Sequence, residues 1–333
     1  RGGYYMLQGG LYYFDKEKRK VVPVCNKPEC THDDSSCNAN VDEGLPPIYY
    51  CSNKLYVTFG EVTAEGINYV DLYEISPDGS KRQKLYTMYI AKEEDQGISF
   101  VMRILDGYVY YFFHNATVGK KTNLAKVYRR KLEKNAKEEC IYKMEGDTAS
   151  FSLDCYEDKL YITGRSNVNG KRIADLLSWD PKTEKATSVK KDVEQYIKIK
   201  NNIFYTKNGK IIKMDEKTKQ EETIYHGKEV DRSFLKSDGT YLYLDNLRKY
   251  YEDLKTDYKG RHIEVIDTKG KKVDDLKTGN DDEFMGGDKD YLFFTGAVGN
   301  GMSMYDKKDL GTGKLNRIDL IKNTKEKKKL YGE

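Results

Sequence analysis

The residues best suited to chemistry are a group of three cysteines and one histidine. Cys25-Asn26-Lys27-Pro28-Glu29-Cys30-Thr31-His32, followed by Cys37, reads C-x4-C-x-H-x4-C. Three thiolates and an imidazole form the soft donor set that zinc takes in four-coordinate sites. The spacing matches no standard zinc finger. A disulfide within Cys25, Cys30 and Cys37 is the competing reading, natural for a secreted chain and able to staple a long loop that has no core of its own. Free thiols are the third. No cofactor for catalysis is suggested, and zinc at this loop is the one cofactor the residues allow.

The other cysteines and histidines point to no chemistry. Cys51 and Cys155 fall on strands expected to be innermost in their sheets, and Cys140 on an outermost one. Innermost and outermost positions lie further apart than the roughly 7 Å that a disulfide can span between Cα atoms. Cys140 and Cys155 are therefore expected to be buried small hydrophobes. His114 opens a long loop, where it is either a general base or a solvated loop residue. His226 and His262 sit at strand ends. There is no G-x-S-x-G, H-E-x-x-H or Walker-type loop, and the Gly-rich run Gly296-Ala297-Val298-Gly299-Asn300-Gly301 joins two strands rather than opening a helix.

The elements that would position these residues repeat along the chain. An apolar residue followed by an aromatic one, just after a turn signal, occurs as Leu55-Tyr56, Val109-Tyr110, Leu160-Tyr161, Ile203-Phe204, Leu242-Tyr243 and Leu292-Phe293. A second marker is an alternating run ending in an acidic or polar turn: Tyr12 to Asp15, Leu72 to Ile75, Val127 to Leu132, Leu177 to Asp180, Ile211 to Asp215, Ile263 to Asp267 and Ile318 to Ile321. A short strand such as Glu222 to Tyr225 or Lys329-Leu330-Tyr331 follows. Together the markers define a four-stranded antiparallel unit recurring every 39 to 54 residues, close to the period of propeller blades and unlike that of helical repeats. A lone four-stranded sheet leaves both faces wet, whereas radial packing buries them against neighbours.

The fold expected is all-β: a single β-propeller over residues 1–333, seven-bladed, with under about 10% helix. Its first blade (residues 1–25) lacks the innermost strand, a Cys/His loop follows at 26–46, and six full blades occupy 47–333. Six blades in total is the alternative count, and a β-sandwich is the alternative fold.

Turns between the first and second strands are short, while most insertions fall on the opposite face: 25–47, 60–69, 114–124, 165–173, 246–261 and 297–315. Loops on a rigid scaffold are where binding residues concentrate. Arg248, Tyr250, Tyr251 and Tyr305, with His114, are the candidate ligand contacts, because Tyr and Arg supply contact area at low entropic cost. A solvated loop with its tyrosines packed back on the blade is the plainer alternative.

Composition excludes several classes. Lys plus Arg number 58 against 54 Asp plus Glu, a net charge of +4 spread in both signs along the chain, so nucleic acid is not an expected partner. Twenty-nine tyrosines, with 12% aromatic residues overall, argue against disorder despite a mean hydropathy of −0.81. No apolar run approaches the roughly 18 residues a membrane helix needs. The chain starts at Arg1-Gly2-Gly3 with neither an initiator Met nor a leader, so any signal peptide or tether is expected to have been removed or to lie upstream.

Tyr12-Tyr13-Phe14-Asp15-Lys16, Val21 to His32 and Cys37-Asn38-Ala39 resemble the start of propeller-like lipoproteins of Gram-positive gut bacteria. The later blades resemble the domain described as similar to the low-density-lipoprotein-receptor propeller. The resemblance implies a secreted protein held at the outer face of the cell membrane by a lipid-modified cysteine upstream of Arg1. It carries no established activity, so no catalytic residue is transferred. Two functions remain: a non-enzymatic, monomeric surface module binding an extracellular glycan, peptide or protein, and an extracellular polysaccharide hydrolase or lyase. Sparse histidine and the missing nucleophile motif favour binding.

Overall fold

The structure, a computed structural model, describes every residue except 1, 8–9, 33, 35, 42–43, 64–65, 92–98, 115–122, 169, 194, 247–261, 279–281, 297–300 and 322–333. It is a seven-bladed β-propeller, and among the described residues the only helical elements are 3-10 turns at Val230–Arg232 and Lys307–Asp309. The chain divides into two compact units, Arg1–Asp192 and Val193–Glu333.

The first unit holds four blades. Blade 1 has three strands, β1 (Gly3–Leu7), β2 (Leu11–Asp15) and β3 (Lys20–Pro23). Blade 2 has β4 (Gly44–Cys51), β5 (Lys54–Phe59), β8 (Tyr69–Ile75) and β9 (Arg82–Ile90), with a small hairpin of β6 (Val62–Thr63) and β7 (Gly66–Ile67) between its second and third strands. Blade 3 has β10 (Ser99–Leu105), β11 (Tyr108–His114) and β12 (Asn123–Lys131). Its outer strand is the first part of β13 (Glu138–Tyr156), which continues as the inner strand of blade 4 after the pairing shifts between Asp147 and Ser150. Blade 4 is completed by β14 (Lys159–Val168), β15 (Lys171–Asp180) and β16 (Lys185–Lys190).

The second unit holds three four-stranded blades. Blade 5 is β17 (Tyr196–Ile199), β18 (Asn202–Lys207), β19 (Lys210–Asp215) and β20 (Glu221–His226). Blade 6 is β21 (Phe234–Ser237), β22 (Leu242–Asp245), β23 (His262–Ile266) and β24 (Lys272–Lys277). Blade 7 is β25 (Asp282–Gly287), β26 (Tyr291–Gly296), β27 (Met302–Asp306) and β28 (Arg317–Ile321).

Strand alternation explains the recurring apolar-aromatic pair. Successive side chains point to opposite faces of a sheet, so the two residues enter two different inter-blade cores. Leu55 packs with Leu11, Val24, Val41 and Ile75 between blades 1 and 2, whereas Tyr56 packs with Met102, Val109 and Tyr111 between blades 2 and 3. Val109 and Tyr110 repeat the step one blade on, as do Leu242 and Tyr243 in the second unit.

Aspartate ends many of the third strands for a reason equally local. Asp15, Asp180 and Asp215 each accept hydrogen bonds through Oδ1 from two backbone N–H groups of the following turn, at 2.8–3.3 Å. The turn from β2 to β3 therefore matches the third-to-fourth turns elsewhere, so the three strands described for blade 1 correspond to the second, third and fourth of the other blades.

These turn carboxylates give the fold an acid limit. The Asp78 carboxyl is held below its usual value by the backbone N–H of Ser80, and that of Asp215 by the N–H of Thr218. A carboxyl lowered by folding contributes stability above its unfolded pKa and loses it as pH falls through the folded value. The melting temperature is expected to hold down to about pH 5 and to fall below about pH 4. An Asp78→Asn, Asp215→Asn double variant should show a shallower fall, as measured by thermal unfolding across buffers.

Four sequence expectations need correction. Met302–Asp306 is the third strand of blade 7, not part of a 297–315 loop, and Arg317–Ile321 is its fourth strand. Lys329-Leu330-Tyr331 lies outside the described residues. No insertion separates β14 from β15, which pair as far as Val168↔Lys171, so 165–173 is an extended hairpin. Cys140, on the outer-strand part of β13 opposite Tyr128, is exposed rather than buried. His114 ends strand β11, paired with Ser99, rather than opening a loop.

Candidate metal centre and aromatic cleft

The Cys/His segment links β3 to β4 and folds over the junction of blades 1 and 2. Glu29 and His32 have φ of 58° and 65°, left-handed conformations that turn the chain back on itself. Tight turns follow each other: the Cys30 N–H bonds to the Lys27 carbonyl at 3.4 Å, and the Cys37 N–H to the Asp34 carbonyl at 3.1 Å. The ligand atoms of Cys25, Cys30, His32 and Cys37 lie within 4.8 Å of one another. All six cysteines are unbridged in the structure.

Within the group, His32 Nδ1 is 3.2 Å from Cys37 Sγ, and the Ala39 N–H donates to Cys37 Sγ at 3.3 Å. Burial pushes the Cys37 thiol up to about 12, against the N–H groups of Ala39 and Asn40. Burial also acts to raise Cys25, but the N–H groups of Lys27 and Asn38 and the neighbouring Cys37 and Cys30 outweigh it, and the thiol is lowered. Three sulfurs and a ring nitrogen converging at this separation could hold a metal ion.

A second feature, absent from the sequence expectations, lies beside the inner edge of blade 1. Gly2, Gly3, Tyr4, Tyr5, Tyr13, Ile48 and Tyr50 line an open cleft of about 380 Å³. The Tyr5 ring stacks on Tyr50 at 5.5 Å and tilts against Tyr13 at 5.0 Å, while its hydroxyl donates to the Pro77 carbonyl at 3.2 Å. Burial, then Tyr50, Tyr13 and Asp78, raise the Tyr5 phenol. Tyr50 is 56% exposed. Gly3 is required here: a Cβ on it would lie 2.3 Å from the Phe14 carbonyl oxygen and from the Tyr13 ring. Tyrosine pairs at 4–5, 12–13 and 49–50 were the available signal, but alternation sends pair members to both faces and gives no hint that one set converges.

The remaining candidates fare differently. Arg248, Tyr250 and Tyr251 lie outside the described residues. Tyr305 is 4% exposed and packs edge-on against Phe294 at 5.0 Å, so it is a core residue rather than a contact. The His114 ring lies 6.0 Å from that of Phe112. His226 is exposed at the end of β20, and His262 Nδ1 is 3.7 Å from Asp275 Oδ1. Across the first strands of blades 2 to 4, Arg103 donates to the Tyr49 hydroxyl at 3.3 Å and to Asp154 Oδ1 at 2.8 Å, tying three blades together.

No protein-family model matches the chain, and no curated protein matches it in sequence. Solved structures do match it in fold. An oligogalacturonate lyase in complex with manganese aligns over 74% of this chain and 71% of its own, with 9% identity and a TM-score of 0.51. An acylaminoacyl peptidase in complex with Z-Gly-Gly-Phe-chloromethyl ketone aligns over 84% of this chain but 46% of its own, with 13% identity and a TM-score of 0.50. The β-propeller domain of the trilobed protease from Pyrococcus furiosus aligns over 82% and 84%, with 12% identity and a TM-score of 0.48. At such identities the likeness is one of fold, and the class these observations define is the β-propeller. Fold alone does not fix activity.

Proposed function

We propose that this chain is a non-enzymatic binding module, secreted and displayed at the outer face of the cell membrane as a monomer, for an extracellular glycan, peptide or protein. The observation that carries this reading is the tyrosine cleft. Four tyrosines, one of them more than half exposed, line an open space together with Gly2, Gly3 and Ile48. Tyrosine offers a large, stiff, amphipathic surface that loses little entropy on contact and presents a hydroxyl for hydrogen bonding. The anchor in this reading is a lipid upstream of Arg1, following the lipoprotein resemblance, and any zinc at the Cys/His loop serves the structure rather than a reaction. The 246–261 loop, with Arg248, Tyr250 and Tyr251, is a second contact region on the same reading.

The alternative, an extracellular polysaccharide hydrolase or lyase, is separated by one paired experiment. The purified chain is applied to glycan and peptide arrays, and incubated in parallel with polygalacturonate and other polysaccharides, with and without manganese. Retention of a ligand class without chain shortening is expected. Steady release of shortened or unsaturated products would establish the enzyme instead.

A further inference from the structure

We propose that Cys25, Cys30, His32 and Cys37 bind one zinc ion in a closed Cys3His site, and that this ion clamps the first blade onto the second. The proposal is independent of what the tyrosine cleft binds. A tetrahedral zinc ion with Zn–S near 2.3 Å and Zn–N near 2.0 Å needs ligand atoms about 3.5–3.8 Å apart. The four donors lie within 4.8 Å of one another, and His32 and Cys37 already approach to 3.2 Å. A small inward adjustment closes the set. A disulfide would use two of the sulfurs and leave the third, with the imidazole, drawn together for no purpose.

Four protein donors fill the tetrahedron, so no position remains for water or substrate, which is the difference between a structural and a catalytic zinc. The soft sulfur-rich set selects against magnesium and calcium. Loading requires the thiols as thiolates, so zinc binding releases protons to solvent. The Ala39 N–H, pointing at Cys37 Sγ, gives a thiolate there a hydrogen bond that stabilises its charge.

The clamp follows from what the loop touches. Its ends, Val24 and Val41, are buried with Leu11, Leu55, Val57 and Ile75 in the core between blades 1 and 2. Between them the Leu11 N–H of blade 1 donates to the Ala39 carbonyl at 2.8 Å, while Asn38 Nδ2 donates to the Gly79 carbonyl of blade 2 at 2.7 Å. Arg82 Nη1, also in blade 2, donates to the Asn40 carbonyl at 2.9 Å. Gly79 has φ of 70°, and a Cβ there would lie 2.2 Å from the Val24 carbonyl oxygen. The loop therefore touches both blades, but it encloses almost no apolar core of its own beyond Cys37 and Ala39. A metal ion at its centre supplies the missing cohesion.

Elemental analysis of protein purified without chelator tests the site. About one zinc per chain is expected, with Cys30→Ser and Cys37→Ser each falling below about a tenth of that and His32→Cys, which keeps four donors, retaining it. Cobalt exchanged into the wild-type protein should show thiolate-to-metal charge-transfer absorption that weakens in Cys25→Ser. A pair of thiols missing from the denatured, unreduced protein would overturn the proposal, as would free thiols without metal after expression in zinc-replete medium. For the clamp, hydrogen exchange after zinc removal should accelerate in β1–β3 and around Pro77–Gly79 but not in β17–β28. No change, or an equal change throughout, would refute it.

Discussion

Replacing Asp238 by alanine is expected to cost about 3–5 kcal/mol, because it leaves a buried lysine without its counter-charge. Lys307 Nζ meets Asp238 Oδ2 at 2.5 Å, with side-chain exposures of 8% and 0%. The Tyr243 hydroxyl donates to the same oxygen at 2.7 Å, and the N–H groups of Thr240 and Tyr241 donate to Oδ1 at 2.8 Å. Lys307 also donates to the Asp288 carbonyl at 3.0 Å. One carboxylate thus holds the β21–β22 turn of blade 6, a core tyrosine and the 3-10 turn of blade 7. Burial and Asp238 both raise the Tyr243 phenol, so tyrosine cannot ionise to take over the charge at working pH. Urea unfolding should show a large drop in midpoint with unchanged slope. An Asp238→Asn, Lys307→Met double variant removes the stranded charge and should recover much of the loss; a neutral Asp238→Ala would mean that water reaches the lysine.

Phe294→Ala is expected to be comparably damaging, at about 3–5 kcal/mol, through the transfer term and the cavity it leaves. Phe294 and Phe284 are fully buried, with ring centroids 5.4 Å apart, and Tyr305 meets Phe294 edge-on at 5.0 Å. The three rings form the core between blades 6 and 7 together with Tyr243, which lies 4.4 Å from Phe284. Phe294→Leu should cost distinctly less, since it refills most of the volume. Calorimetry of the two variants gives the comparison, and near-equal melting temperatures for Phe294→Ala and the wild type would mean that the core collapses around the gap.

The blade repeat was legible because each second strand must serve two cores at once, which places an apolar-aromatic pair such as Leu160-Tyr161 at the same position in blades 2 to 7. Blade 7 was misread where that constraint weakens. Met302-Ser303-Met304-Tyr305 follows a Gly-rich run and contains two flexible methionines, while Ile318 to Ile321 carries the alternation of a third strand; hydrogen-bonded register, not residue type, decides between them. The Cys/His set was legible as a donor set but not as a pairing, since its convergence depends on left-handed Glu29 and His32, residue types that do not announce that conformation. The tyrosine cleft was not legible. Its walls come from β1, β2 and β4, strands of two blades far apart in sequence, and among the described residues β1 pairs only with β2.

Tyr50 is the residue through which binding is tested most directly, because its exposed ring can be removed without opening a core. With a ligand taken from the arrays, titration calorimetry on the wild type and Tyr50→Ala should show at least about a tenfold rise in Kd, the loss of roughly 1.4 kcal/mol typical of an aromatic anchor. The melting temperature should be unchanged. Equal Kd values for the two proteins would contradict a binding module that works through the tyrosine cleft.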